Sequence, residues 1–262
     1  MKNLIKLFVI IGLVLAVAFS GCLDDDENGD ENITINADGF YRNMTLSDDN
    51  KSINFEFTTN PSTGYGWTVS GASGIFNESE NTVLTPNRVG APGLHILKYD
   101  ALKSGTATLN FVYERSFEEG TTIENLTYVF SVASDNTIEV VSISSNNEVL
   151  YFQNLTTDDK NKTAQMILKG NPSTGYTWDV SAPGKILKTV KEGLLLADDS
   201  DADDPIVGAP GFFVWEFAGL QKGNETLTFD YQRNFEKDST LEKGVYTFSV
   251  DDDQAVLIRS VS

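Results

Sequence analysis

Two nearly identical eight-residue segments occur in this chain and constrain its fold more than any other feature. Asn60-Pro61-Ser62-Thr63-Gly64-Tyr65-Gly66-Trp67 returns as Asn171-Pro172-Ser173-Thr174-Gly175-Tyr176-Thr177-Trp178. Asn-Pro favours a turn, because proline fixes its own φ and moves the preceding residue out of the α region. Gly64 and Gly175 can adopt the positive φ that tight loops often need. The segment therefore predicts a stiff polar loop, followed by aromatic side chains that return to a core.

Two further segments repeat in the same order. Gly90-Ala91-Pro92-Gly93 returns as Gly208-Ala209-Pro210-Gly211, and Arg115-Ser116-Phe117 returns as Arg233-Asn234-Phe235. These two repeats are offset by 118 residues (208 − 90), whereas the first is offset by 111 (171 − 60), so the second half carries seven additional residues between its first and second segments. A period this long indicates tandem domains rather than a solenoid of short repeats.

The three segments together resemble the loops of the chagasin family of cysteine-peptidase inhibitors. Those loops run Asn-Pro-Thr-Thr-Gly-aromatic, then a glycine-rich segment, then Arg-Pro-aromatic. Ser62 and Ser173 stand where the family has its first threonine, a change that keeps the hydroxyl. Ser116 and Asn234 stand where it has proline, so we expect a less stiff third loop.

The resemblance implies a reversible inhibitor of papain-like cysteine peptidases, in which three loops of each domain enter the active-site cleft as a wedge. The Ser-Thr pairs would lie over the catalytic Cys/His pair, and the other two loops would contact the walls of the cleft. The residues implied in peptidase binding are Asn60, Pro61, Ser62, Thr63, Gly64, Tyr65, Gly90, Ala91, Pro92, Gly93, Arg115 and Phe117, together with Asn171, Pro172, Ser173, Thr174, Gly175, Tyr176, Gly208, Ala209, Pro210, Gly211, Arg233 and Phe235. Phe117 and Phe235 are natural anchors, since exposed aromatics often dominate interface energetics.

Alternating apolar residues predict an all-β fold. The alternation is clearest at Ile53, Phe55 and Phe57, at Ala107, Leu109, Phe111 and Tyr113, at Leu227, Phe229 and Tyr231, and at Tyr246, Phe248 and Val250. We expect two tandem β-sandwich domains, residues 32–144 and 145–262, each long enough to bury its own core. The resemblance to the chagasin family implies that these sandwiches are immunoglobulin-like. Residues 142–147 are predicted to link them, with the first strand of the second domain at 149–152.

The N-terminal region has the layout of a lipoprotein signal. Lys2 and Lys6 precede an apolar run, and Ser20-Gly21-Cys22 follows it. We expect a signal peptide at residues 1–21, a lipid on Cys22 and an acidic, solvated tether at residues 22–31. Ordinary cleavage and an uncleaved anchor are the alternatives, and each places the chain outside the cytoplasm. The expected location is the cell surface, anchored to the membrane through Cys22.

Charge and composition argue against several other functions. The formal net charge of −19 disfavours nucleic-acid partners. Cys22 is the only cysteine and His95 the only histidine of the chain. Because nucleophilic catalysis commonly uses these side chains, we expect that the chain is not an enzyme. Asp199, Asp201 and Asp203 resemble the start of a calcium loop that then departs from the pattern. We therefore expect no metal or cofactor. We also expect the chain to be a monomer. A surface adhesion or scaffold module without a peptidase target is the alternative function.

Overall fold

The computed structural model describes residues 42–71, 74–85, 90–146, 153–158, 160, 162–196 and 211–262. These residues form sixteen strands and two 3-10 turns, which confirms the all-β prediction. Within these ranges no helix has the length and apolar character needed to cross a membrane. The signal segment, Cys22, the acidic tether and the aspartate-rich stretch around residues 198–204 lie outside the described residues.

The two halves have the same order of elements. The first half contains β1 (Arg42–Leu46), β2 (Ser52–Thr59), the turn Pro61–Thr63, β3 (Gly66–Ser70), β4 (Phe76–Leu84), β5 (Gly93–Ala101), β6 (Gly105–Glu114), β7 (Glu124–Val132) and β8 (Ile138–Asn146). The second half contains β9 (Gln153–Asp158), β10 (Thr163–Gly170), the turn Pro172–Thr174, β11 (Thr177–Val180), β12 (Leu187–Leu196), β13 (Gly211–Gly219), β14 (Gly223–Gln232), β15 (Glu242–Val250) and β16 (Val256–Val261).

Each half is a sandwich of two antiparallel sheets. In the first half, β4-β5-β2-β1 packs against β3-β6-β7-β8, and in the second half β12-β13-β10-β9 packs against β11-β14-β15-β16. Aromatic side chains fill the space between the sheets: the ring centroids of Phe55 and Phe111 lie 4.7 Å apart, and those of Trp215 and Phe229 lie 5.1 Å apart. The alternating residues named in the sequence are buried as expected.

The two sandwiches are joined edge to edge by strand pairing, which the repeat pattern alone does not predict. Strand β1 pairs with β16, with Met44 opposite Val261, and β8 pairs with β9. Each sheet of the first half therefore continues into a sheet of the second, and β8 and β16 also meet at Val140 and Ile258. Residues 34–262 accordingly form one compact unit. We call the paired strands β1, β16, β8 and β9 the seam; the pairing satisfies backbone groups that exposed edges would leave open.

The predicted linker at residues 142–147 is wrong over most of its length. Residues 142–146 belong to β8, where Ser144 pairs with Thr127 on one side and with Asn154 on the other. The serine-rich composition suggested a loop, but Ile143 and Ser145 are buried because strands flank β8 on both sides. The first strand predicted at 149–152 lies outside the described residues, and β9 begins at Gln153. The domain boundaries at 144 and 145 stay a prediction.

A cluster of charged residues from both halves lies at the seam. Glu124, whose side chain is 1% exposed, pairs with Arg42, with Nε and Oε1 2.7 Å apart. Burial raises the pKa of Glu124, and Arg42 opposes that shift. Burial also raises the pKa of Glu242 to about 7, with Arg42 lowering it and the negative charge of Glu124 raising it. A single guanidinium thus balances carboxyl groups that begin β7 in one half and β15 in the other.

We predict that Glu242 makes folding stability depend on pH. Because its folded-state pKa lies above the ordinary value of 4.5, its contribution favours the folded state below that value and is lost as pH rises through 7. Glu242→Gln should match the wild type near pH 5 and exceed it near pH 8 by about 2–3 kcal/mol in free energy of unfolding. Urea unfolding at both pH values measures the difference, with Glu192→Gln on the exposed strand β12 as the control. A difference that does not change with pH would contradict the prediction.

Candidate functional site

The first repeated segment forms a closed loop fixed by its own polar groups. In the first half, the Thr63 backbone N–H and hydroxyl donate to the Asn60 carbonyl at 3.0 and 2.7 Å, and the Ser62 hydroxyl donates to Asn60 Oδ1 at 2.6 Å. The Gly64 N–H donates to the Pro61 carbonyl at 3.0 Å, and Gly64 has φ of 81°. Each side chain thus holds a backbone conformation that the sequence already favours, and the loop is preorganised.

The second half reproduces this loop closely. The Thr174 hydroxyl donates to the Asn171 carbonyl at 2.6 Å, the Ser173 hydroxyl donates to Asn171 Oδ1 at 2.6 Å, and Gly175 has φ of 81°. The Ser173 backbone N–H adds a bond of 3.2 Å to Asn171 Oδ1. The hydroxyls predicted to face a peptidase therefore also close the turn, and the residues that carry them are exposed.

A stack of aromatic side chains connects each loop to the core. In the first half Trp67 lies between Phe57 and Tyr113, with centroid distances of 4.8 and 5.0 Å, and Tyr65 lies 5.5 Å from Tyr113. The guanidinium of Arg115 completes the stack 4.7 Å above the Tyr65 ring. We call Phe57, Trp67, Tyr113, Tyr65 and Arg115 the aromatic ladder. In the second half Trp178, Tyr231, Tyr176 and Arg233 form its counterpart, with Arg233 4.5 Å above the Tyr176 ring.

Hydrogen bonds fasten the ladder to the backbone. The Tyr113 hydroxyl accepts the Asn60 N–H at 3.0 Å, and the Tyr231 hydroxyl accepts the Asn171 N–H at 2.8 Å. The buried indole N–H of Trp67 donates to the Thr58 carbonyl at 2.9 Å, and that of Trp178 donates to the Lys169 carbonyl at the same distance. Burial raises the pKa of Tyr113, so its hydroxyl is neutral at physiological pH. This confirms that an aromatic returning to the core holds the first loop.

The third loop lies against the first. Arg115 Nε donates to the Thr63 carbonyl at 3.0 Å, and its Nη1 lies 3.0 Å from Glu118 Oε2. Phe117 is 75% exposed, yet its ring borders Gly64 so closely that a Cβ there would lie 2.8 Å from Phe117 Cζ. A side chain at position 64 would therefore displace the phenylalanine as well as strain the backbone.

In the second half, Phe235 is 78% exposed and has a similar position beside Gly175. Arg233 Nη1 lies 2.9 Å from Glu236 Oε2, matching the Arg115–Glu118 pair. Both halves thus present one protruding phenylalanine beside one arginine whose charge a nearby glutamate balances.

The second loop approaches the first in the first half. The Asn60 side-chain amide donates to the Gly90 carbonyl at 3.3 Å, and Gly90 has φ of 84°. In the second half, Gly211 begins β13 opposite Gly170, while Gly208, Ala209 and Pro210 lie outside the described residues.

Strand register locates the seven additional residues of the second half. Leu84 pairs with Leu94 in the first half, and Leu195 pairs with Phe212 in the second, so Leu84 and Leu195 are equivalent. The additional residues therefore lie between Leu195 and Gly211, within the second loop.

The predicted segments meet as a set in the first half, and the first and third meet in the second half. Sequence reasoning did not assign roles to Tyr113, Tyr231, Glu118 or Glu236. The signal was present, because both the tyrosines and the glutamates recur at the 118-residue offset beside the arginines. Direct contact of these loops with a peptidase stays a prediction.

His95 is a buried strand residue, as expected. It lies on β5, and its Nε2 is 2.8 Å from Asn81 Oδ1. Burial lowers its pKa, so the ring is neutral at physiological pH. Among the described residues no group of three histidine, cysteine or carboxylate side chains is placed to hold a metal ion.

Sequence comparison with known proteins identifies one family. The model of the chagasin family peptidase inhibitor I42 matches residues 48–132 and 159–250. Amoebiasin-2 of Entamoeba histolytica is 33% identical over 84 residues, which are 30% of this chain and 68% of that protein. The crystal structure of the cysteine protease inhibitor EhICP2 from Entamoeba histolytica shares 31% identity and covers 32% of this chain and 81% of its own, with a TM-score of 0.30.

The two matched regions contain both sets of loops and leave out the four strands of the seam. The matched regions therefore contain three strands of each sheet, and the seam strand at the edge of each sheet lies outside them. Because the matches together cover more than half of the sequence, the chain belongs to the chagasin family of peptidase inhibitors.

Proposed function

We propose that this chain is a reversible inhibitor of papain-like cysteine peptidases and that each half inserts its three loops into the active-site cleft. The observation that carries this proposal is the loop set fixed before any partner binds: a closed first loop, a third loop stacked on it, and an exposed phenylalanine at the tip. Amoebiasin-2 and EhICP2, the latter named a cysteine protease inhibitor, support the choice of partner.

Preorganisation gives such a wedge its affinity. Docking a mobile loop costs conformational entropy for every side chain that becomes fixed, whereas a loop held by internal hydrogen bonds has lost that freedom already. Phe117 and Phe235 then supply apolar surface to a cleft, and their neighbouring arginines stay fixed on tyrosine rings. Ser62 and Ser173 are exposed at the loop tips, and a hydroxyl that donates one hydrogen bond can still accept another.

The chain acts by binding and is not an enzyme, in keeping with its family. Both halves carry a closed first loop and an exposed phenylalanine, so we propose two binding sites per chain. Glu124 and Glu242 follow the third loops of the two halves, and Arg42 acts on both, so the bases of these loops lie near one cluster. Two peptidases bound to one chain would therefore lie close together. The number bound at saturation thus tests whether both sites can be occupied at the same time.

We also propose that the chain is held at the cell surface by a lipid on Cys22, with residues 22–31 as the tether. The support comes from sequence: a basic start, an apolar run, and Ser20-Gly21-Cys22 before an acidic stretch. An anchored inhibitor with its loops on folded domains would meet peptidases arriving from outside.

We predict that residues 23–262 inhibit papain and related peptidases without being cleaved. Ser62→Ala, Thr63→Ala and Phe117→Ala together should disable the first half, and Ser173→Ala, Thr174→Ala and Phe235→Ala the second. Changing all six should weaken inhibition about 100-fold or more, because truncating one anchor residue alone often costs tenfold or more. Calorimetry with inactivated peptidase should give two bound molecules for the wild type and one for either triple variant.

The control for this experiment is Leu102→Ala, an exposed apolar residue in the turn after β5, at the strand end away from the loops. It should inhibit like the wild type. No inhibition of several papain-like enzymes by the folded wild type would sink the proposal and favour a scaffold or adhesion role. One peptidase bound at saturation would mean that one of the two sites does not bind or that the two bound peptidases would collide.

We predict that Cys22→Ala releases the chain from membranes or stops its processing. Without the thiol no lipid can be attached, so the protein should leave the membrane fraction and lose the mass of the lipid. Ser20→Ala keeps a small residue beside the cleavage position and should behave like the wild type. Unchanged mass and fractionation of Cys22→Ala would rule the lipid anchor out.

A further inference from the structure

The third loops of the two halves are fixed by different hydrogen bonds. In the first half Arg115 Nε donates to the Thr63 carbonyl of the first loop. In the second half the equivalent Arg233 Nε is buried and has no hydrogen-bond partner within the described part of the chain. The second half therefore lacks a bond that ties the first loop to the third.

Asp179 provides a different attachment in the second half. It lies on β11 directly after Trp178, and its Oδ2 accepts the Gln232 side-chain amide at 3.0 Å. Its Oδ1 accepts the Asn234 side-chain amide at 3.3 Å. One carboxylate thus holds the residues immediately before and after Arg233. Such charge-assisted hydrogen bonds are stronger than those between neutral groups.

The first half has no such arrangement. At the 111-residue offset Thr68 stands in place of Asp179, and at the 118-residue offset Glu114 and Ser116 stand in place of Gln232 and Asn234. Thr68 donates to the Val112 carbonyl at 3.4 Å instead. A carboxylate at position 68 would face the carboxylate of Glu114. All three positions differ together in the direction that makes the bonds in the second half possible.

Strand stability does not account for Asp179. The residue directly across from it in the sheet is Asp230, and like charges in opposite positions destabilise a strand pair. Lys243 Nζ lies 3.6 Å from Asp230 Oδ1 and offsets part of this repulsion. The hydrogen-bond partners of Asp179 itself are the amides of Gln232, the last residue of β14, and of Asn234 in the third loop.

We propose that Asp179 is a positioning residue that fixes the third loop of the second half, and with it Phe235, in the conformation that binds the peptidase. The inference rests on the proposed function and assigns the two halves different means of reaching the same loop geometry. A fixed loop lowers the entropy lost on docking and slows dissociation, while the rate of encounter depends little on it.

The test uses the chain with its first half disabled by Ser62→Ala, Thr63→Ala and Phe117→Ala. In this background Asp179→Thr introduces the residue of the first half. We expect about five- to tenfold faster dissociation from inactivated papain, with an association rate changed by less than about twofold. Hydrogen exchange of the amides of residues 233–239, measured without peptidase, should become faster. The thermal midpoint should not fall, because the repulsion with Asp230 is removed as well.

A reciprocal variant keeps the test decisive if Asp179→Thr folds poorly. Thr68→Asp, Glu114→Gln and Ser116→Asn together, with the second half disabled, should slow both amide exchange in residues 115–121 and dissociation from papain. Unchanged exchange and dissociation in both variants would overturn the proposal. If the wild type binds no peptidase, the proposed function fails, and with it the binding role of Asp179. The exchange measurements would still show whether Asp179 fixes the loop.

Discussion

The aromatic ladder is the interaction on which the site depends. Phe57 and Trp67 belong to the core, Tyr113 bridges to the loop, and Tyr65 carries Arg115 at the surface. A displacement at the core end would move Tyr113, whose hydroxyl holds the Asn60 N–H. The loop tip is therefore positioned by the packing of the sandwich. This arrangement suits a protein that must present a rigid surface rather than fold around a partner.

Strand pairing at the seam also fixes the two halves relative to each other. Because β1 pairs with β16 and β8 with β9, the two sandwiches share their sheets. Each half covers strand edges that would otherwise be exposed on the other half, so the two halves are not structurally independent. Arg42 and the two glutamates lie where the halves join, close to the start of both third loops. The orientation of one loop set relative to the other is consequently a property of the fold.

Much of the site could be predicted from the sequence because short local motifs determine the conformation of the loops. Asn-Pro, a glycine with positive φ and a following tryptophan specify local geometry within a few residues. Strands such as β6 could be predicted equally well, since Leu109, Phe111 and Tyr113 occur at every second position and are buried on one face. The strand pairing of the seam could not be predicted from the sequence, because β1 and β16 lie more than two hundred residues apart in the chain. The serines of β8 resembled a linker for the same reason: only the strands on either side make that segment a strand.

The attachment by Asp179 was hidden for a related reason. Asp179 lies 53 residues from Gln232, and neither position stands out in composition or spacing. Comparing the two halves position by position would have shown that Asp179, Gln232 and Asn234 differ together from Thr68, Glu114 and Ser116. The repeat reveals what the halves share, whereas this attachment lies in how they differ.

The proposed function requires that the three loops are the surface that contacts a peptidase. Hydrogen exchange of residues 23–262, free and in complex with inactivated papain, tests it most directly. We expect slower exchange in the complex at residues 61–66, 90–94 and 115–121 and at their counterparts in the second half, with the seam strands unchanged. A stable complex in which these segments exchange as in the free protein, with protection on the exposed strands β4 or β12 instead, would contradict it.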